Sequence, residues 1–305
     1  MEPVYAGIDI GGTDVKGGFV DALGRVRERF AVRTGDHAGP EGLVAALAAH
    51  LRRADSGLDV RGVGVGAPNG NARRGTVEYP PNLPWPGVTP LADLLAEASG
   101  LPCVLDNDAN AAALGEGVFG AARGIEDFLF ITLGTGLGSG LVVKGALVRG
   151  HSGFAGEVGH VIVEAGGRLC GCGRRGCLER YCSATGLVLT YRELAPDAPE
   201  GVDARAVFER AEAGEAAAAE AFEQTGERLG LALANAVAYT SPAAIFLFGG
   251  LVAAGERLFA PTRRAFEANL LPIYRGTVTV RPSGLDDDAG ILGAASLVCP
   301  PDFAT

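Results

Sequence analysis

The chain has 305 residues, 48% of them hydrophobic and 47 of them glycine, which suits two packed α/β domains joined by many tight turns. A formal net charge of −10, with lysine only at positions 16 and 144, argues against nucleic acid as a partner. No stretch approaches the roughly 18 consecutive apolar residues of a membrane span, and the start has no basic region followed by an apolar core, so a cytoplasmic protein without a membrane partner is expected.

The chain opens on an apolar run, Val4 to Ile10, then Gly11-Gly12-Thr13, then a second run from Val15 to Val20. Short β-rich runs joined by a glycine turn predict a hairpin. A P-loop or dinucleotide fingerprint would need that turn to open into a helix, and this one does not. Pro40 to Asp55 predicts an amphipathic helix, with apolar residues at 43, 44, 47 and 51. Val60 to Val65 predicts a strand that ends in Gly66-Ala67-Pro68-Asn69-Gly70. Residues 66–90 are then expected to form a loop carrying Asn82 and the only tryptophan, Trp85. A strand at Cys103 to Leu105 runs into Asp106-Asn107-Asp108, with an alanine-rich helix from about Ala109.

A second hairpin is predicted at Phe128 to Leu133, Gly134-Thr135-Gly136-Leu137-Gly138 and Ser139 to Val143. Two hairpins, each starting an alternation of strands and helices, suggest two related halves. The expected domains are 1–119, completed by a C-terminal helix at about 289–305, and 120–288. Further along come a helical region over about 203–240 and a buried strand, Ala244 to Phe248, capped by Gly249-Gly250.

Chemistry is concentrated between Gly156 and Glu179. His160, Cys170, Cys172 and Cys177 are separated by nine, one and four residues. One imidazole and three thiolates make a closed tetrahedral set for structural Zn²⁺, and a Cys-x-Cys pair makes a poor disulfide. Glu157 and Glu179 flank these ligands, so a metal clip here would hold two carboxylates in place. Cys103, Cys182 and Cys299 are scattered and read as reduced thiols. The turns Gly11-Gly12-Thr13 and Gly134-Thr135-Gly136 can each offer backbone N–H groups and a hydroxyl to a phosphate. Asp9, just before the first turn, could hold Mg²⁺ through water. Asp108 stands at the carboxyl end of a strand, where α/β sheets place their ligands. Asn107 or Asp108 could instead cap the helix that follows, but capping needs only one of them.

These segments together resemble the ROK family (repressors, open reading frames and kinases), sugar kinases of the actin-like and hexokinase-like superfamily. The resemblance rests on DIGGT at 9–13, PNLPW at 81–85, LDNDAN at 105–110, LGTGLGSG at 133–140, GEVGH at 156–160, CGCGRRGCLE at 170–179 and FGG at 248–250. It implies a two-domain actin-like (ribonuclease H-like) α/β fold with a cleft between the domains, and ATP-dependent phosphorylation of a hexose, glucose above all, at its 6-hydroxyl. Other candidate substrates are N-acetylmannosamine, N-acetylglucosamine, mannose and fructose, and a non-catalytic sugar sensor is the rival from another class. By resemblance Asp108 is the catalytic base, and Asn82, Asn107, Glu157, His160 and Glu179 bind sugar hydroxyls. Gly12, Thr13, Thr135 and Gly250 would line the ATP site, which is expected to take in Asp9, Gly11, Lys16, Gly134, Gly136 and Gly249 as well. The GAPNGN run at 66–71 departs from the more common glycine-rich version of that loop. Repressors of the family carry a DNA-binding domain ahead of the first glycine turn, and none is expected here. A homodimer or homotetramer is the expected assembly.

Overall fold

The computed structural model describes residues 2–37, 39–53, 57–80 and 82–300. In chain order the first elements are β1 (Glu2–Ile10), β2 (Asp14–Val20), β3 (Val26–Arg33), α1 (Pro40–Arg52), β4 (Leu58–Ala67), β5 (Gly70–Asn71), β6 (Thr76–Glu78), β7 (Val88–Thr89), α2 (Leu91–Ser99), β8 (Cys103–Asn107) and α3 (Asp108–Val118). They are followed by β9 (Phe128–Leu133), β10 (Leu137–Val143), β11 (Ala146–Leu147), α4 (Glu179–Cys182), α5 (Ala184–Leu194), α6 (Ala204–Glu212) and α7 (Ala216–Thr240). The last are β12 (Ala244–Phe248), α8 (Glu256–Asn269), β13 (Thr279–Pro282) and α9 (Ala289–Ser296).

The first glycine turn joins antiparallel strands and the second joins neighbouring strands of one sheet, as their flanking apolar runs predict. Helix α1 starts on its proline and buries Leu43, Val44, Leu47 and Leu51. The expected continuation to Asp55 falls on 54–56, outside the described residues, as do 301–305 of the expected C-terminal helix. Residues 66–90, expected as loop, hold the small sheet β5-β6-β7. Its two- and three-residue strands are too short to show alternation in sequence, and Asn69 (φ 52°) and Tyr79 (φ 46°) turn the chain at its ends.

The chain divides into two compact units: Met1–Glu126 with Gly140–Gly156 and Ser283–Thr305, and Asp127–Ser139 with Glu157–Pro282. The expected domains differ from these at 120–126, 140–156 and 283–288. The end of β10 belongs with the first unit because it rests on α3: a Cβ on Gly140 would lie 2.5 Å from that of Ala113.

The first unit is built on a sheet of order β3-β2-β1-β4-β8, with β1, β4 and β8 parallel. Alternation along β1 sends Val4, Ala6, Ile8 and Ile10 into a core shared with Leu43, Leu47, Leu91 and Leu95 of α1 and α2. The opposite face carries Tyr5 and Gly7 and meets α9. A Cβ on Gly7 or Gly64 would come within 1.9 or 1.7 Å of the carbonyl oxygens of Ile291 and Ala294, so only glycine admits α9 this close. Asp9 shares the parity of Gly7 and therefore emerges on the α9 side.

In the second unit β12 runs parallel to both β9 and β13. Phe128 and Phe246 meet edge to face in its core. The complete second sheet has the order β11-β10-β9-β12-β13. Among the described residues no helix is long and apolar enough to cross a membrane.

Candidate active site

In the first unit the parallel strands end together, and their ends carry the polar residues. Asn107 caps α3: its Oδ1 accepts from the N–H groups of Ala109 (3.0 Å) and Asn110 (3.4 Å). Asp108 also accepts from Ala109 N–H, at 2.8 Å, but its side chain is reached by solvent. With Asn107 as the cap, the second carboxylate oxygen of Asp108 has no part in ending the helix. Protein crowded around Asp108 pushes its carboxyl above the ordinary carboxylate range, against the backbone N–H groups that pull it down. Asp9 is pushed up to about 6, first by burial, then by the charge of Asp108, with Lys16 opposing both. Lys16 faces Asp9 directly across the β1–β2 pair.

The first glycine turn is closed by Gly11 N–H on Asp14 O, and Thr34 donates its hydroxyl to Gly11 O and its N–H to Thr13 O. A Cβ at Gly12 would lie 2.9 Å from Asn82 O, so the turn brings exposed Asn82 to its side. Pro81 lies outside the described residues, while Leu83 and Trp85 are buried and fix the segment. The structure thus gathers Asp9, Lys16 and Asp108 by their charges, and Gly12 with Asn82 by contact.

In the second unit, the turn at 134–136 is held by the start of α5. Ala184 N–H bonds to Gly134 O at 2.8 Å, and the hydroxyl of Thr185 bonds to Thr135 O at 2.8 Å. Gly249 (φ 107°) brings the end of β12 against Leu133 O, 2.7 Å from where a Cβ would stand. Beside Gly250 opens a cavity of about 540 Å³ whose lining includes Ala184, Asp203, Phe208, Phe222 and Leu251. The apolar surface of that cavity suits a flat ring system rather than a phosphate.

Glu157 and Glu179 are held beside the cysteines. The ligand atoms of His160, Cys170, Cys172 and Cys177 all lie within 4.8 Å of one another. The Cys172 and Cys177 sulfurs are 3.7 Å apart, as are Cys170 Sγ and His160 Nδ1. A tetrahedron with zinc–sulfur bonds of about 2.3 Å has edges of about 3.8 Å, so these four residues fit such an ion. The other imidazole nitrogen of His160 is 3.9 Å from Glu157 Oε2. Glu179 Oε1 is 3.6 Å from Cys170 Sγ, and its Oε2 accepts from Leu137 N–H at 3.1 Å. A Cβ on Gly136 would stand 2.6 Å from that same oxygen, so the glycine turn and Glu179 fit only as a pair. The loop before His160 is pinned to β10, where Ser139 Oγ accepts from Val158 N–H at 3.1 Å.

Three features escape sequence reasoning. Gly290 of α9 packs on the Asp9 carboxylate, 2.3 Å from its would-be Cβ to Oδ2. Phe208 and Phe222 line the cavity. Arg149 pairs with Asp106 at 2.6 Å. The only sequence signal for any of them is that Asp106 lies in the LDNDAN segment.

Residues 5–300 match the ROK family. The chain is 37% identical to the glucokinase of Thermotoga maritima, covering 96% of each chain. It is 35% identical to the N-acetylmannosamine kinase of Citrobacter koseri, over 95% of this chain and 97% of that one. A solved structure, the ROK family glucokinase of Streptomyces griseus in complex with glucose and AMPPNP, is similar at a TM-score of 0.82 and 38% identity, over 96% of this chain and 98% of that one. The fold is the two-domain, actin-like α/β fold of these kinases. This chain belongs to the ROK family.

Proposed function

We propose that the protein transfers the γ-phosphoryl group of ATP to the 6-hydroxyl of glucose. The observation that carries this reading is Asp108, a carboxylate spared from capping by Asn107, crowded by protein and still open to solvent. A general base needs access to the proton it takes and a pKa near its working range. Asp108 accepts the 6-hydroxyl proton as that oxygen attacks the γ-phosphorus, and ADP departs. Phosphoryl transfer asks chiefly for positioning and charge stabilisation. Asn82, Asn107, Glu157, His160 and Glu179 bind and orient the sugar hydroxyls. Gly11, Gly12, Thr13, Lys16, Gly134, Thr135, Gly136, Gly249 and Gly250 bind ATP, with the adenine directed to the cavity beside Phe208. Mg²⁺ held near Asp9 would offset the phosphate charge, and Zn²⁺ on His160, Cys170, Cys172 and Cys177 is structural, since four protein ligands leave no open position.

The glucokinase relatives favour glucose, and the AMPPNP complex of the Streptomyces griseus enzyme favours ATP. The identity to an N-acetylmannosamine kinase favours a second reading, an N-acetylhexosamine as substrate. A site built to hydrogen-bond each hydroxyl rejects added bulk only where its wall is close. ADP release is therefore measured without sugar and with glucose, N-acetylglucosamine, N-acetylmannosamine, mannose and fructose. Glucose is expected to lead the acetylated sugars by at least roughly tenfold in kcat/KM, about 1.4 kcal/mol. A lead by either acetylated sugar selects the second reading.

A further inference from the structure

We propose that Arg149 is a positioning residue for the transfer proposed above, on which reading this inference rests, and that it acts through Asp106. Asp106 is the fourth residue of β8, and its side chain is fully buried. Its Oδ1 accepts from Asn107 N–H at 2.8 Å and from the Asn110 amide at 2.9 Å. Its Oδ2 accepts from Arg149 Nε at 2.6 Å. The carboxylate therefore grips the strand side and the helix side of the corner that carries Asn107 and Asp108. Arg149 fixes the orientation of that carboxylate from outside.

A comparison within the same unit shows that charge balance alone does not call for the arginine. Glu116 is equally buried, and its partners are neutral: the N–H groups of Ala121 and Gly284, each at 2.9 Å, and the Ser283 hydroxyl at 2.6 Å. Arg149 does something at Asp106 that neutral donors do at Glu116, and it adds a link to a distant stretch of chain. Arg149 O accepts from Ala155 N–H at 3.1 Å. The carbonyls next to it are also tied down. Arg73 Nη1 bonds to Gly150 O (2.9 Å) and His151 O (2.8 Å), and the Asn71 amide bonds to Ser152 O at 3.0 Å. This stretch ends at Gly156, and the next residue is Glu157. One ion pair thus sets the base and its neighbour on one side, and the root of the segment carrying Glu157 on the other. It also gives the GAPNGN loop a task, since Asn71 is its last residue and is fully buried.

Displacing a catalytic group by about 1 Å can cost about 100-fold in rate. Arg149→Met is therefore expected to lower kcat by about 10- to 100-fold and to raise KM for the sugar. Arg149→Lys, which keeps the charge but not the geometry of the fork, should recover part of both losses. The double variant Asp106→Asn/Arg149→Met removes the stranded carboxylate, so its melting temperature should return toward the wild type while turnover stays low. All are assayed well below their melting temperatures, with bound zinc measured as a check on folding. Arg149→Met with kcat and KM within twofold of the wild type overturns the proposal. A double variant that regains turnover along with stability overturns it too, because the damage then came only from a buried unpaired charge. Wild-type protein that releases no ADP in response to sugar would sink the kinase reading and this inference together, whereas an active enzyme indifferent to Arg149 sinks this inference alone.

Discussion

Asp9 and Asp108 in the first unit stand at the ends of sheet strands, whereas Glu157 and Glu179 in the second flank a loop gathered by one histidine and three cysteines. The first pair is held by regular structure. Its cost is electrostatic, because burial and then the charge of Asp108 raise the reluctance of Asp9 to ionise. The second pair is held by a glycine-rich run that has little regular structure of its own. Its cost is conformational, and a metal cross-link can meet it. Damage to the first pair should therefore cost turnover and spare the fold, and damage to the ligands of the second should cost the fold locally and sugar affinity with it.

The largest effect is expected from Asp108→Asn. General-base removal typically costs on the order of 10²–10⁴ in rate, so kcat should collapse while sugar binding, followed by the emission of Trp85, survives. The melting temperature should hold or rise, because Asn107 still caps α3. Near-normal turnover would make Asp108 part of the scaffold and erase the contrast.

Next comes Cys172→Ser. The variant should purify without stoichiometric zinc, melt earlier than the wild type and bind sugar more weakly, by about tenfold if one hydrogen-bonded carboxylate is lost. Metal analysis that finds no zinc in fresh wild-type protein would remove the cross-link from the second pair.

Gly136→Ala sharpens the same side without touching a ligand. Its methyl would meet Glu179 Oε2, so Glu179 must shift and give up its bond from Leu137. KM for sugar should rise several-fold with zinc retained, a loss of about 1 kcal/mol. Unchanged KM would mean that Glu179 does not touch the sugar.

The last effect, on stability rather than on catalysis or binding, is a pH dependence. Asp9 has its folded pKa raised from 3.8 to about 6. Its ionisation penalty is absent below 3.8, grows between the two values and is complete above 6. Asp9→Asn should therefore stabilise the protein at pH 8, by at most about 3 kcal/mol, and should do nothing at pH 3.5. An equal gain at both pH values would assign the effect to packing against Gly290. The raised carboxyl of Asp108 also places the acid limb of the rate profile above that of an ordinary aspartate.

The features legible in sequence are those whose cause is local. Each glycine hairpin announces itself by two apolar runs and a turn, and the metal quartet by four ligands within eighteen residues. Leu43, Val44, Leu47 and Leu51 are buried as their helical spacing requires. What escapes is set by distant partners. Arg149 lies 43 residues from Asp106, and Asn71 lies 81 from Ser152, so no pattern in either stretch foretells the bond. Gly290 reads as one small residue in an apolar helix until Asp9 is placed beside it. The grouping of 140–156 with the first unit is hidden for the same reason: β10 looks like one strand of one hairpin, yet its end is claimed by α3.

Phosphorus NMR of the products formed from ATP and glucose tests the central claim most directly. The predicted result is one phosphate ester, on the 6-hydroxyl of glucose, appearing mole for mole with ADP. Phosphate on another hydroxyl, or inorganic phosphate in place of the ester, would contradict it.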